Sequence, residues 1–254
     1  MTVLSSKFLG APLTHRGLHD VTDGRPENSR AAIGAAISHG YGIEIDVQLS
    51  ADNAAMVFHD YALDRLTHED GTVRQRAASD LGSVVLAGGD EGIPTLAEVL
   101  TLVNGAVPLL IEIKDQDGAM GPDVGPLEQA VAAALAGYNG PVAVMSFNPH
   151  SVALMGTLCP DIARGLVTSS YAPKDWPLPV DTCDHLRAIP DYDRVGASFI
   201  SHEADDLSRQ RVADLRDAGA HVLCWTIKSP EQEAAARCYA QNVTFEGYLA
   251  AIPT

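Results

Sequence analysis

The chain has 254 residues, 46% of them hydrophobic and 20% charged, a balance that excludes a disordered protein, and its length suits one α/β barrel, which takes about 250 residues. Its formal net charge is -16, from 33 acidic against 17 basic side chains. A surface this acidic repels nucleic acid and anionic membrane, both of which are bound through cationic neutralisation, so neither a nucleic-acid partner nor stable membrane association is expected.

In chain order, short apolar runs alternate with Ala-rich helical stretches. A strand is predicted over residues 12–16, then a helix over 28–39 and strands over 42–49 and 55–59. The segment 61–94 is polar, rich in Gly and Asp, and without a strong helical period; it reads as an insertion. A helix at 96–103 and a strand at 108–114 follow, then a helix at 127–136, a strand at 141–147 and a helix at 149–158. Further strands are predicted at 163–168, 197–201, 222–227 and 244–249, with helices at 208–218 and 230–240 between them. Strand–helix alternation over this length implies a parallel sheet with helical crossovers. No GxGxxG follows the first strand, which favours closure into a (β/α)8 TIM barrel over an open dinucleotide-binding sheet. No linker or internal repeat divides the chain, so one domain over 1–254 is expected, with the last outer helix absent. Cys159, Cys183, Cys224 and Cys238 show no CxxC spacing and read as reduced thiols. The start, MTVLSSKFLG, has no secretory pattern and no run reaches about 18 apolar residues, so the expected location is cytoplasmic. Assembly into a homo-oligomer stays open.

The stretch IEIDVQL carries the first chemistry. Side chains alternate across a strand, so Glu44 and Asp46 share one face while Ile43, Ile45 and Val47 take the other. The apolar set suits outer helices, which turns the carboxylates toward the barrel interior. The strand LLIEIK repeats the pattern with Glu112 and Lys114. On parallel strands Glu112 can meet Glu44 and Asp46 at one mouth. Three converging carboxylates suit one divalent cation, Mg²⁺ or Ca²⁺, and Lys114 then offers a charge to a phosphate. An internal ion-pair network is the competing reading.

His15 and Arg16 end the first strand, and His59 and Asp60 end the run AAMVFHD. Polar residues at the C-terminal ends of barrel strands form active sites. Two histidines can divide general acid and general base roles, and Arg16 can grip a phosphate bidentately. Phe147 and Trp225, also at strand ends, can wall the substrate's alcohol end or simply pack the barrel. His202 with Glu203 offers a weaker approach from a sixth strand. The other histidines, His19 among them, read as structural or exposed.

The residues HRGLHDVTDGRPENS…GIEIDVQLSADNAAMVFHDYALDRLT resemble the signature of glycerophosphodiester phosphodiesterases of the bacterial, single-domain type. His15-Arg16-Gly17, Pro26-Glu27-Asn28-Ser29, the Gly42–Val47 strand, and Val57–Asp60 followed by Leu63–Thr67 carry the match, which continues weakly through Ser146-Phe147 and Trp225-Thr226. The resemblance implies a TIM barrel with a small insertion after the second strand region. It implies a divalent cation on Glu44, Asp46 and Glu112, His15 and His59 as the acid–base pair, and Arg16 and Lys114 on the phosphate. It also implies attack by a glycerol hydroxyl on phosphorus, a cyclic phosphate, and ring opening to glycerol 3-phosphate. The chain departs from the family in a longer, charged loop at 18–26. It departs again in its final strand, where Ala250-Ala251 replace a Thr-Asp pair after Glu246-Gly247. Two alternatives stand: a related phosphodiesterase or phospholipase D-like barrel acting on lysolipids, and a non-catalytic phosphodiester-binding barrel.

Overall fold

A computed structural model describes residues 2–253. In chain order the elements are β1 (Leu13–Thr14), α1 (Arg30–His39), β2 (Gly42–Leu49), β3 (Ala55–Val57), α2 (Ala78–Leu81) and α3 (Leu96–Val103). Next come β4 (Leu109–Ile113), α4 (Pro126–Leu135), β5 (Val142–Ser146), α5 (Pro149–Leu158), β6 (Ala163–Thr168) and α6 (Val180–Ala188). The chain ends through β7 (Phe199–Glu203), α7 (Gln210–Asp217), β8 (His221–Ile227), α8 (Pro230–Ala236) and β9 (Asn242–Phe245). Strands β1, β9, β8, β7, β6, β5, β4 and β2 pair in parallel in that order, and β2 pairs again with β1, closing an eight-stranded barrel. No helix follows β9 among the described residues.

Alternation divides the core as the sequence pattern predicts. Ile43, Ile45 and Val47 pack outward against the helices, together with Val99, Val131 and Val152. Leu13, Leu110, Ala143, Met145, Val167, Phe199 and Leu223 fill the barrel interior. The N-terminal segment adds Leu4 and Phe8 to that inner cluster at the starts of the strands. Asn242 Nδ2 fastens the segment by donating to the Phe8 and Ala11 carbonyls, each at 2.8 Å. The helices start where side chains satisfy their free N–H groups. Ser29 caps α1 by accepting from Ala32 N, and Thr95 with Glu98 forms a reciprocal capping box on α3. Gly42 leaves room for the Leu13 side chain: a Cβ there would lie 2.3 Å from Leu13 Cδ2.

Four expectations are corrected, the first being the strand predicted at 244–249, which runs from Asn242 to Phe245 because the chain turns at Gly247. The run predicted as a strand over 55–59 is not a barrel strand. Ala55–Val57 turns back and pairs antiparallel with β2, Val57 opposite Val47, so it forms a hairpin on the outside of the ring. A short apolar run alone does not distinguish a barrel strand from a hairpin arm. The strand predicted at 197–201 begins at Phe199 and runs to Glu203, which brings His202 and Glu203 into it. The helix Val180–Ala188 was not predicted: it follows the proline-rich stretch PKDWPLP, and its own sequence, VDTCDHLRA, carries few apolar residues.

The segment 61–94 is irregular apart from α2 and a 3-10 turn at Val73–Gln75. It has its own apolar cluster, in which Leu63, Val73, Leu81, Leu86 and Ile93 pack on Met56 and Phe58. After β9 the chain turns at Gly247, φ 78°, and lies back on the outer layer, where Tyr41 donates to the Ala250 carbonyl at 2.5 Å. No helix among the described residues is long and apolar enough to cross a membrane.

Candidate active site

At the C-terminal mouth of the barrel a cavity of about 150 Å³ is lined by His15, Arg16, Glu44, Asp46, His59, Glu112, Lys114, Phe147 and Trp225. Nine of the residues singled out in the sequence thus meet in one place. Asp46 stands opposite Glu112 in the β2–β4 register, and the oxygens of Glu44, Asp46 and Glu112 come within 4.8 Å of one another. All three carboxylates are buried.

The chain around His15 explains its position. Arg16 and Gly17 both take left-handed backbone angles, φ 56° and 79°, and turn the chain across the mouth. A Cβ at Gly17 would lie 2.9 Å from Ala32 Cβ, so α1 packs directly on this turn. Arg16 N donates to Glu44 Oε2 at 3.0 Å, and Arg16 Nη1 to Glu27 at 2.6 Å. Its Nε lies 3.3 Å from Asp46 Oδ2 but is misaligned, and it is a buried donor without a hydrogen-bond acceptor. Thr244 Oγ1, on β9, also lines the cavity and is also buried without a partner. Both atoms are available to an anionic or hydroxylated ligand.

The β3 hairpin carries His59 to the same mouth. Phe58 N donates to the Asp46 carbonyl at 3.0 Å, which fixes His59 two residues beyond the ladder. His59 Nδ1 lies 2.5 Å from Asp60 Oδ1, and Arg65 clamps both Asp60 and Glu27. His59 therefore reaches the site from an antiparallel arm rather than from the end of a barrel strand.

The electrostatics are those of a carboxylate set short of positive charge. Burial, followed by the charges of Asp46 and Glu112, pushes the Glu44 carboxyl well above its ordinary range. Burial raises Glu112 as well. Asp46 is driven low: burial opposes this, but Lys114, His59 and Arg16 outweigh it. Lys114 Nζ sits 2.7 Å from Asp46 and 2.5 Å from Glu112, and these partners raise its pKa against the opposing effect of burial. Lys114 is thus engaged with the carboxylates rather than free. Burial depresses both histidines, His59 to about 4, where Lys114 adds to the effect; Glu246 partly offsets burial at His15. The donor set, three buried carboxylates with one of them pushed toward its neutral form, fits a hard divalent cation that would replace that proton.

Sequence reasoning passed over several neighbours. Glu246 accepts at 2.5 Å from His15 Nδ1, and it is also reached by His19 Nε2 at 3.5 Å and Lys228 Nζ at 2.9 Å. The loop at 18–26 thus brings His19 to the site's edge. Asn28 donates to Asp46 Oδ2 at 2.9 Å and accepts from Asp46 N at 3.2 Å. Glu27 and Asn28 stood in the quoted Pro26–Ser29 motif, Asp60 beside His59 and Glu246 in the final-strand motif, but no local signal paired Glu246 with His15. His202 does not reach the cavity. It is fully buried between strands, paired with Thr168 Oγ1 at 2.8 Å and Asp206 at 3.2 Å.

Comparison with known proteins agrees with this architecture. A phosphodiesterase of Oleispira antarctica, solved in complex with the product sn-glycerol-3-phosphate, superposes with a TM-score of 0.75 at 25% identity, over 94% of this chain and 93% of that one. A glycerophosphodiester phosphodiesterase of Thermotoga maritima shares the fold, with a TM-score of 0.69 at 21% identity over 92% of this chain and 94% of that one. The glycerophosphodiester phosphodiesterase of Caldanaerobacter subterraneus subsp. tengcongensis is 31% identical over 163 residues, 59% of this chain and 65% of the relative. The family model for glycerophosphoryl diester phosphodiesterases matches residues 15–244, and the chain belongs to that family.

Proposed function

We propose that the protein hydrolyses small glycerophosphodiesters to glycerol 3-phosphate and an alcohol, with a divalent cation held by Glu44, Asp46 and Glu112. The observation that carries this reading is the meeting of His15 and His59 with three buried carboxylates, Arg16 and Lys114 in one cavity. A bound cation supplies charge to offset the phosphoryl oxygens and orients a hydroxyl. Arg16, with an unsatisfied Nε, grips the phosphate, and Lys114 turns to it once the carboxylates are otherwise neutralised. One histidine takes the proton of the attacking glycerol hydroxyl and the other gives a proton to the leaving alcohol. Burial lowers the pKa of both rings, which suits the one that acts as base, while the carboxylate on each Nδ1 orients the ring and favours the protonated form that the acid needs. A cyclic glycerol phosphate results, and water opens it with the histidine roles reversed.

A panel of glycerophosphodiesters and intact lysolipids tests the reading, with glycerol 3-phosphate measured by a coupled dehydrogenase. Release from glycerophosphodiesters supports it. A strict preference for lipids, or binding without turnover, contradicts it.

A further inference from the structure

The catalytic cavity is too small for a whole diester. Its volume of about 150 Å³ falls below the roughly 300–1,000 Å³ of sites that enclose small ligands. A second, wider groove of about 610 Å³ adjoins it, and Trp225 and Thr226 line both. The part of a substrate beyond the phosphate would enter this groove if it ran past Trp225 and Thr226.

Its polar lining is acidic. Glu203, Asp205 and Lys228 are its charged residues. Lys228 is already committed, its Nζ lying 2.9 Å from Glu246 Oε1. Glu203 ends β7 directly opposite Trp225 in the β7–β8 register, and both follow the inward alternation set by Phe199 and Leu223. Ser169 Oγ and Ser170 N each donate to Glu203 Oε2 at 2.8 Å, which fixes the carboxylate and leaves Oε1 without a protein donor among the described residues. Trp225 is held in turn. Its indole N–H donates to the Ser201 carbonyl at 3.0 Å, and its ring meets Phe147 edge-on with centroids 5.6 Å apart. A fixed carboxylate beside a fixed indole is the pairing that attracts an organic cation.

We propose that Glu203 and Trp225 form the leaving-group subsite for an alcohol bearing a positive charge, a quaternary ammonium or primary amino alcohol. This rests on the phosphodiesterase reading above. Glu203 acts on the ground state as well as the transition state, so it lowers KM more than it raises kcat.

The test compares glycerophosphocholine with the uncharged glycerophosphoglycerol. The expected kcat/KM ratio is about tenfold in favour of the cationic diester, carried by KM, and Glu203→Gln brings it close to one. Equal rates in the wild-type protein, or a ratio that Glu203→Gln leaves intact, overturn the proposal. A measurement on the unaltered protein guards against a misfolded variant: choline is compared as an inhibitor with 3,3-dimethylbutan-1-ol, its neutral isostere. Choline should inhibit at about a tenth of the concentration; equal inhibition contradicts the subsite. If no diester is hydrolysed, the phosphodiesterase reading fails. Quenching of tryptophan fluorescence by choline but not by the isostere still tests the cation subsite separately.

Discussion

Glu246 Oε2 lies 2.5 Å from His15 Nδ1, although 231 residues separate them in sequence. The contact exists because β9 closes the ring against β1, so that the residue after the last strand stands beside the residue after the first. It orients the ring with Nδ1 turned to the carboxylate and stabilises the protonated imidazole against the depression caused by burial.

Replacing Glu246 therefore moves His15. In Glu246→Gln the carboxylate no longer favours the imidazolium, so the His15 titration midpoint shifts further below 6.5, and kcat falls by about tenfold or more. NMR titration of the histidine ring, together with kcat, checks both. An unchanged midpoint with an unchanged kcat removes Glu246 from the site.

The carboxylate cluster sets stability against cation binding. Glu44→Gln relieves buried repulsion with Asp46 and Glu112, so the protein in EDTA should gain about 1 kcal/mol or more. The same substitution should shrink the rise in Tm that millimolar Mg²⁺ or Ca²⁺ gives the wild-type protein, because a ligand that binds only the folded state stabilises it. Thermal unfolding of both proteins with and without cation is the measurement. A variant with the wild-type response to cation contradicts the assignment.

Phe8 closes the barrel interior at the starts of the strands and is fully buried. Phe8→Ala should cost about 3–5 kcal/mol in urea unfolding, the range for emptying an aromatic core position. A loss below 1 kcal/mol would mean that the N-terminal segment is not part of the barrel core.

His202 predicts a pH dependence away from the catalytic cavity. Burial lowers its pKa, with Asp206 opposing. The unfolded chain thus takes up a proton near pH 6.5 while the folded chain does not. The stability contribution is complete above that pH and is lost as pH falls through the folded value, with a slope of up to about 1.4 kcal/mol per pH unit. Between pH 7.5 and 5.5, Tm should fall less steeply in His202→Gln than in the wild-type protein. Parallel curves would contradict this.

Much of this was legible in sequence because alternation is a strong local signal. The strand over 42–49 and the split between Ile43, Ile45, Val47 and the two carboxylates follow from period two alone. The β3 hairpin was not legible as such, since AMV reads alike in a barrel strand and in a returning arm; His59 came to the right place by a different route. The pairing of Glu246 with His15 was invisible for a topological reason: the two lie at opposite ends of the chain, and only ring closure brings them together. The groove beside Trp225 was equally hidden. It depends on the register of Glu203 against Trp225 and on the extension of β7 by two residues, which no local pattern marked.

The central claim is that Glu44, Asp46 and Glu112 hold the cation on which glycerophosphodiester hydrolysis depends. Its most direct test follows glycerol 3-phosphate release while Mg²⁺ or Ca²⁺ is titrated into EDTA-stripped protein, wild type beside Glu112→Gln. The predicted result is no turnover in the stripped protein, full recovery on saturation of one site, and a variant that needs at least about tenfold more cation. Full activity of the stripped wild-type protein, or identical titrations for the two proteins, would contradict it.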